Sequence, residues 1–234
     1  MSASLLLKIP CILATALAVD IAHSPPSVAP KETQQPKTTF SIKFLIFIVE
    51  YALPFVKILQ WLFAIIEVAV VAICKSGSGP AGTNVQAVCK RLDFTPVAIV
   101  GLIMMIGGSL LRVQCFRIMG KYFTMNFAVF DDHKLATTGP YSIIRHPSYF
   151  GAMVLYIGLV LWHAFPGSFL MESGIFNTVL GRTVAAVLSL QLVTTIVALF
   201  LRSKDEDAAM HRVFGDTWEE WEKRVPYAII PYVF

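Results

Sequence analysis

The chain has 234 residues, of which 56% are hydrophobic and only 15% charged, and its mean hydropathy is +0.67. Soluble domains carry about a quarter charged residues, so the composition excludes an ordinary soluble fold and places the chain in a bilayer. The net charge of +4 is mild and comes with no basic stripe or nucleic-acid motif, which argues against a nucleic-acid partner.

Taken in chain order, Ser4 to Ala22 is an apolar stretch with small residues at Ala14, Ala16 and Ala18. It resembles a signal peptide, but Pro10, Asp20 and a poor basic n-region favour a retained first membrane helix. His23 to Thr39, rich in Pro, Ser, Thr and Lys, reads as a linker. Phe40 to Cys74 covers roughly 50 Å as a helix, too short for two crossings with a turn. It is expected to form one long tilted helix kinked at Pro54, with Glu50, Lys57 and Glu67 facing the bundle or water. Lys75 to Asp93 is a loop.

Thr95-Pro96 reads as an N-cap followed by proline at the first helical position. That helix is expected to reach about Met119, with Gly101, Gly107, Gly108 and Ser109 as small faces for close helix contact. Gly120 to Arg145 is polar and ends in the turn signal Thr138-Gly139-Pro140-Tyr141. Pro147 opens a helix to Trp162 or His163, and the segment 165–174 turns the chain back. Thr183 to Leu201 is the clearest span, bounded by Arg182 and Arg202. Beyond it an amphipathic helix runs from Ser203 to Val213, Gly215 breaks it, and Asp216 to Glu219 reads as a capping box. The tail from Val225 onward is expected to be extended. The fold class is therefore all-α: a polytopic membrane bundle of about five transmembrane helices. The segments after Arg112 and after Arg202 hold most of the basic residues, which puts both on the cytosolic side.

Four cysteines are present: Cys11, Cys74, Cys89 and Cys115. None forms a CxxC pair, so no metal site is expected. Cys11 and Cys115 fall in or beside apolar runs and read as buried thiols. Cys74 and Cys89 bracket one loop, and their pairing depends on whether that loop meets an oxidising compartment.

Two polar segments meet at one membrane face, at the mouth of the 147–201 hairpin. One holds His133, Tyr141, Arg145, His146 and Tyr149; the other holds Arg202, Asp205, Glu206 and Asp207. Arg202 and Glu206 are four apart and share a helix face. An arginine where the most apolar helix leaves the membrane is placed to meet a lipid-borne anion. By itself it would read as a positive-inside anchor.

The segment Asp132 to Gly151 (DHKLATTGPYSIIRHPSYFG) closely resembles the isoprenylcysteine carboxyl methyltransferases, as do Arg202 to Glu206 (RSKDE), Phe214-Gly215 and Lys223 to Pro226. The resemblance covers roughly residues 112 to 230, which divides the chain into N-terminal membrane helices and linkers (1–111) and a catalytic region (112–234). The shorter Arg-His-Pro-x-Tyr core also occurs in phospholipid methyltransferases and membrane sterol reductases; the second block favours the first family. The resemblance implies a cytosolic pocket for S-adenosylmethionine built by the C-terminal half. Its contacts would be His133, Lys134, Leu135, Ala136, Tyr141, His146, Pro147, Ser148, Tyr149 and Glu206. Arg202 would meet the substrate, and Arg202 and Glu206 would be the catalytic pair.

The partners implied are proteins or peptides ending in a prenylated cysteine, together with the lipid bilayer of the endoplasmic reticulum. Ala136 stands where the family often has valine, and Lys204 to Asp207 stands where it often has a glutamate run; Glu206 keeps the acidic character. The competing readings are a phospholipid or small-amine methyltransferase, whose acceptor has less use for Arg202, a sterol-type reductase, which usually needs a longer chain, and a non-enzymatic scaffold. Asn126 precedes His133 and is a further candidate for cofactor contact, though nothing local fixes it. The Phe214, Trp218 and Trp221 stripe reads as packing or an interfacial belt.

Overall fold

A computed structural model of the chain describes residues 4–25, 51–76, 84–125, 130 and 132–233. Among them the elements are helical, with no strand. The helices are α1 (Ser4–Ala22), α2 (Leu53–Ser76), α3 (Asn84–Arg91), α4 (Pro96–Met119), α5 (Pro147–His163), α6 (Phe169–Glu172), α7 (Val179–Phe214) and α8 (Asp216–Arg224), with short 3-10 turns at Gly120–Tyr122, Gly139–Ser142 and Ile175–Asn177. Three helices, the ones built on α2, α4 and α7, are long and apolar enough to cross a membrane, and α5 is a shorter apolar helix. The chain is thus an integral membrane protein.

Several boundaries follow from local chemistry. The Thr95 hydroxyl accepts the Ala98 N–H at 3.2 Å, capping α4, and Pro147 opens α5 where a missing N–H costs nothing. Gly139 at φ +60° and Gly215 at φ +50° take up backbone that other residues adopt with strain.

Other elements differ from expectation. Pro54 lies in the first α-helical turn of α2, directly after π-helical Tyr51 and Ala52; residues 40–50, and with them Glu50 and the expected helix before the kink, lie outside the described residues. The span 183–201 and the amphipathic segment 203–213 are one continuous helix of 36 residues, because no glycine or proline separates Leu201 from Ser203. The capping box does not form. Gly215 is the N-cap of α8, with no side-chain cap, and Glu219 pairs instead with His211 Nε2 at 3.0 Å. The tail turns from Ala228 on rather than staying extended.

The chain divides into two compact units: residues 1–20, 55–107 and 154–192, and residues 21–54, 108–153 and 193–234. In the first, α1 and α2 run antiparallel and are linked by polar pairs. Lys8 Nζ lies 3.0 Å from Glu67 Oε1, Gln60 Nε2 donates to Thr15 Oγ1 at 3.3 Å, and Lys57 meets Asp20 at 2.9 Å. Lys8 and Glu67 are only 1% and 2% exposed. Lys8 also donates to the Gly167 carbonyl at 2.8 Å, and His163 shares a 2.9 Å hydrogen bond with Gln60 Oε1.

A Cys74–Cys89 disulfide, with Cα atoms 5.4 Å apart, ties α3 back to the end of α2. Closing a loop of this size stabilises by about 3 kcal/mol in the chain-entropy account. Cys89→Ser is expected to lower the melting temperature in detergent, and dithiothreitol should lower the wild type to the same value while leaving the variant unchanged.

In the same unit α4 and α5 touch backbone to backbone. A Cβ on Gly158 would sit 2.6 Å from the Gly101 carbonyl oxygen and 2.8 Å from the Met105 nitrogen. Gly158→Leu should therefore destabilise by at least about 1–3 kcal/mol, read as a drop in melting temperature. Gly107→Leu, whose Cβ meets nothing within 4 Å, should leave it nearly unchanged.

In the second unit Gly151 of α5 packs in the same way against the Gly108 carbonyl of α4. Its core gathers Cys115, Phe116, Phe123, Tyr141, Trp218, Trp221 and Val225. The aromatic stripe of α8 is thus packing: Trp218 and Trp221 meet edge to face with centroids 4.8 Å apart.

Candidate active site

The second unit brings the two polar segments together. Pro147 starts α5 buried, so His146 sits at the mouth of that helix with its ring fixed. The ring lies 9° from parallel to that of Tyr149, centroids 5.2 Å apart. On α7, consecutive residues point about 100° apart, so Glu206 and Asp207 embrace the imidazole from two sides. His146 Nε2 is 2.8 Å from Asp207 Oδ1 and Nδ1 is 3.4 Å from Glu206 Oε2.

One turn earlier, Arg202 Nε donates to Glu206 Oε1 at 2.5 Å and Nη1 donates to the Met125 carbonyl. The guanidinium also lies 5.7 Å from the Tyr149 ring centroid. These groups are mostly buried, with side-chain exposures of 10% for His146, 12% for Arg202 and 15% for Glu206. Arg202 Nη2 hydrogen-bonds no described residue and so remains a donor for something else.

Burial alone would lower the pKa of His146, but the hydrogen bonds and charges of Asp207 and Glu206 outweigh it and raise it. A folded-state pKa above the unfolded value of about 6.5 means a stabilising contribution fully present below that value and lost as pH rises through the raised one. The melting temperature is expected to fall across that window, and His146→Asn should remove that part of the fall.

The other expected contacts form a second, aromatic group. His133 is half-buried among the Tyr122, Phe130 and Phe214 rings, 4.9–6.1 Å away by centroid. Its Nδ1 is buried with no partner among the described residues. Burial lowers its pKa against the opposing pull of Asp132. Leu135 and Ala136 pack on the core that holds Tyr141, and Lys134 is exposed. The Tyr141 hydroxyl turns to Met119 Sδ at 2.9 Å, outside the Arg202–Glu206–His146 set. Ser148 is buried, and both its carbonyl and its hydroxyl accept from Arg112 at 3.1 Å. Asn126 lies outside the described residues.

Three residues to which the sequence reading gave no role pack against the candidate site, two of them within its two polar segments. Asp207 holds His146. Arg145 holds Asp207 through Nη2 at 3.0 Å. Arg112, buried in α4, binds Ser148, the Ala22 carbonyl and Met125 Sδ. The available signal was the adjacency of Arg145 to His146 and of Asp207 to Glu206, which makes one half of the motif basic and the other acidic. No group of three metal-ligating side chains occurs among the described residues.

The sequence model of the phospholipid methyltransferase family matches residues 97–180, which takes in the His146 motif and ends before Arg202. A rice (Oryza sativa subsp. indica) probable protein-S-isoprenylcysteine O-methyltransferase is 31% identical over 139 residues, 58% of this chain and 62% of that protein. The human protein-S-isoprenylcysteine O-methyltransferase is 27% identical over 144 residues, 60% of this chain and 43% of its own. The Arabidopsis thaliana protein-S-isoprenylcysteine O-methyltransferase B is 30% identical over 135 residues, 57% and 58% respectively. The chain thus spans less than two thirds of the length of the curated relatives it matches, and over somewhat more than half of its own length it is similar to the protein-S-isoprenylcysteine O-methyltransferases.

Proposed function

We propose that the chain is a protein-S-isoprenylcysteine carboxyl O-methyltransferase: it methylates the C-terminal carboxylate of a prenylated cysteine in a CaaX-processed protein or peptide. The observation that carries this is Arg202. Its Nε and Nη1 are engaged by Glu206 and Met125, while Nη2 is left over, at the point where the apolar part of α7 gives way to its polar part. A guanidinium so held is suited to a carboxylate carried on a lipid.

The likeness to named methyltransferases and the donor set support S-adenosylmethionine as the cofactor. The orphaned Nδ1 of His133 and Nε1 of Trp221 are buried polar atoms of the kind a bound ligand satisfies, and both adjoin the aromatic cluster. His133, Lys134, Leu135, Ala136, Tyr141 and His146 to Tyr149, with Glu206, are the residues we assign to holding it. S-adenosylmethionine supplies the methyl group as a sulfonium.

The chain's own task is then positioning. A terminal carboxylate, with a pKa of about 3.3–3.7, is already ionised and is itself the nucleophile, so no general base is required. Arg202 orients the carboxylate, Glu206 fixes Arg202, and the aromatic surroundings limit water. We place this chemistry in residues 112–234, on the cytosolic face of the endoplasmic reticulum. The Cys74–Cys89 disulfide before α4 fits an oxidising compartment at that end of the helix, and Arg117 and Lys121 fit the cytosol at the other.

The test is transfer of labelled methyl from S-adenosylmethionine to a farnesyl-cysteine analogue by the purified chain in detergent or vesicles. A base-labile ester is the expected product. No transfer by folded protein overturns the proposal, and transfer to ethanolamine lipids instead would favour the amine-methylating alternative.

A further inference from the structure

Both ring nitrogens of His146 face carboxylate oxygens, Nε2 toward Asp207 and Nδ1 toward Glu206. A neutral imidazole has one N–H, so in either tautomer one nitrogen lone pair would be directed at an anion. Only the doubly protonated ring satisfies both neighbours.

Asp207 is itself held from behind. Arg145 Nε and Nη2 reach its Oδ2 at 3.1 and 3.0 Å. Arg145 Nη1 donates to the Val225 and Pro226 carbonyls at 3.2 and 2.9 Å and lies 3.4 Å from Glu222. The backbone adds two further ties: Arg145 N–H to the Tyr227 carbonyl at 2.9 Å and His146 N–H to the Ala228 carbonyl at 2.7 Å. The segment after α8 is thus bolted to the motif that opens α5, and the bolt ends on Asp207.

The charged and titratable groups facing the His146 ring are Glu206 and Asp207 from α7, Tyr149 from α5 and Arg145 beside it. Arg202 lies behind Glu206, and Glu222 behind Arg145. Together they form an alternating chain, Arg202–Glu206–His146–Asp207–Arg145, in which each anion lies between two cations.

We propose that Asp207, backed by Arg145, is a positioning residue that keeps His146 as a doubly donating cation and thereby fixes the direction of the Glu206 carboxylate. Asp207 touches neither acceptor nor donor of the methyl group; it acts through the ring. Its consequence for turnover rests on the role proposed above for Glu206, whereas the protonation of His146 does not.

The experiment uses the full chain in detergent with 15N-labelled histidine. His146 is identified among the five histidines as the signal lost in His146→Asn. In the wild type both its nitrogens should stay protonated well above pH 6.5. In Asp207→Asn the titration midpoint should fall by at least about one pH unit, a tenfold change in the protonation equilibrium. The pH profile of kcat should move with it, kcat at pH 7.5 should fall about 10- to 100-fold, and Asp207→Glu should recover most of both. A wild-type His146 midpoint at or below about 6.5 overturns the inference, and because it is read on unmodified protein it does not depend on a variant folding. An Asp207→Asn protein with an unmoved midpoint, or with a lowered midpoint and full kcat, overturns it as well. If the wild type transfers no methyl group, the proposed function fails while the histidine titration still decides this inference.

Discussion

Replacing Arg202 by alanine is expected to lower methyl transfer to a farnesyl-cysteine acceptor by about 10²–10³-fold, the usual loss when one preorganised charged donor is removed from a buried site. The protein should still fold. The cut leaves the Met125 carbonyl without its arginine partner and Glu206 with only His146 as a cation, a cost of about 1–3 kcal/mol for the orphaned groups. A modest drop in melting temperature should therefore accompany a nearly complete loss of activity.

Arg202→Lys separates charge from shape. A lysine keeps the positive charge but cannot engage Glu206, Met125 and a carboxylate together in one plane, so it should recover only a small part of the rate. Full activity in Arg202→Ala, with product confirmed as a methyl ester, would remove Arg202 from the mechanism.

Lys8→Met is expected to be the most damaging single change away from the site. Lys8 and Glu67 are almost wholly enclosed, and breaking one partner of a buried pair leaves the other charge uncompensated, typically at 3–5 kcal/mol. The expected result is poor recovery from membranes and a much lower melting temperature. The double variant Lys8→Met/Glu67→Met should regain most of that loss, since a well-packed apolar pair is often as stable as the ion pair it replaces. Additive losses in the double variant would show that the two residues do not act on each other.

Much of the fold was legible because its signals are local. Thr95-Pro96, Pro147 and Gly215 mark helix boundaries by backbone chemistry that does not depend on what packs nearby. Long apolar runs announce membrane helices in the same way. What was not legible depends on partners distant in sequence. Nothing in the neighbourhood of Lys8 says that Glu67 will face it, 59 positions on, nor that the Gly167 carbonyl will accept its hydrogen bond.

The misplaced capping box has the same origin. Asp216 to Glu219 satisfies the pattern, but Glu219 finds His211 across the Gly215 turn and the cap is left to Gly215. At the site, the spacing of Arg202 and Glu206 was readable on one helix face and the structure pairs them. Tyr141 and Arg145 were not separable by sequence. Both sit in the same polar segment, yet Tyr141 packs into the aromatic core and Arg145 joins the ion chain.

The unbroken length of α7 links the site to the bilayer mechanically. Thirty-six residues make a rod of about 54 Å, against a hydrocarbon layer of about 30 Å, so the last third stands clear of the lipid as a continuation of the same rod. Arg202 and Glu206 ride on it with no hinge between them and the membrane-embedded turns. The height of the guanidinium above the acyl chains is therefore set by how the apolar part, Thr183 to Leu201, matches the thickness of the surrounding membrane. Thin and thick bilayers would raise or lower Arg202 and Glu206 relative to the headgroups, and with them, on the proposed function, the depth at which the substrate carboxylate is met.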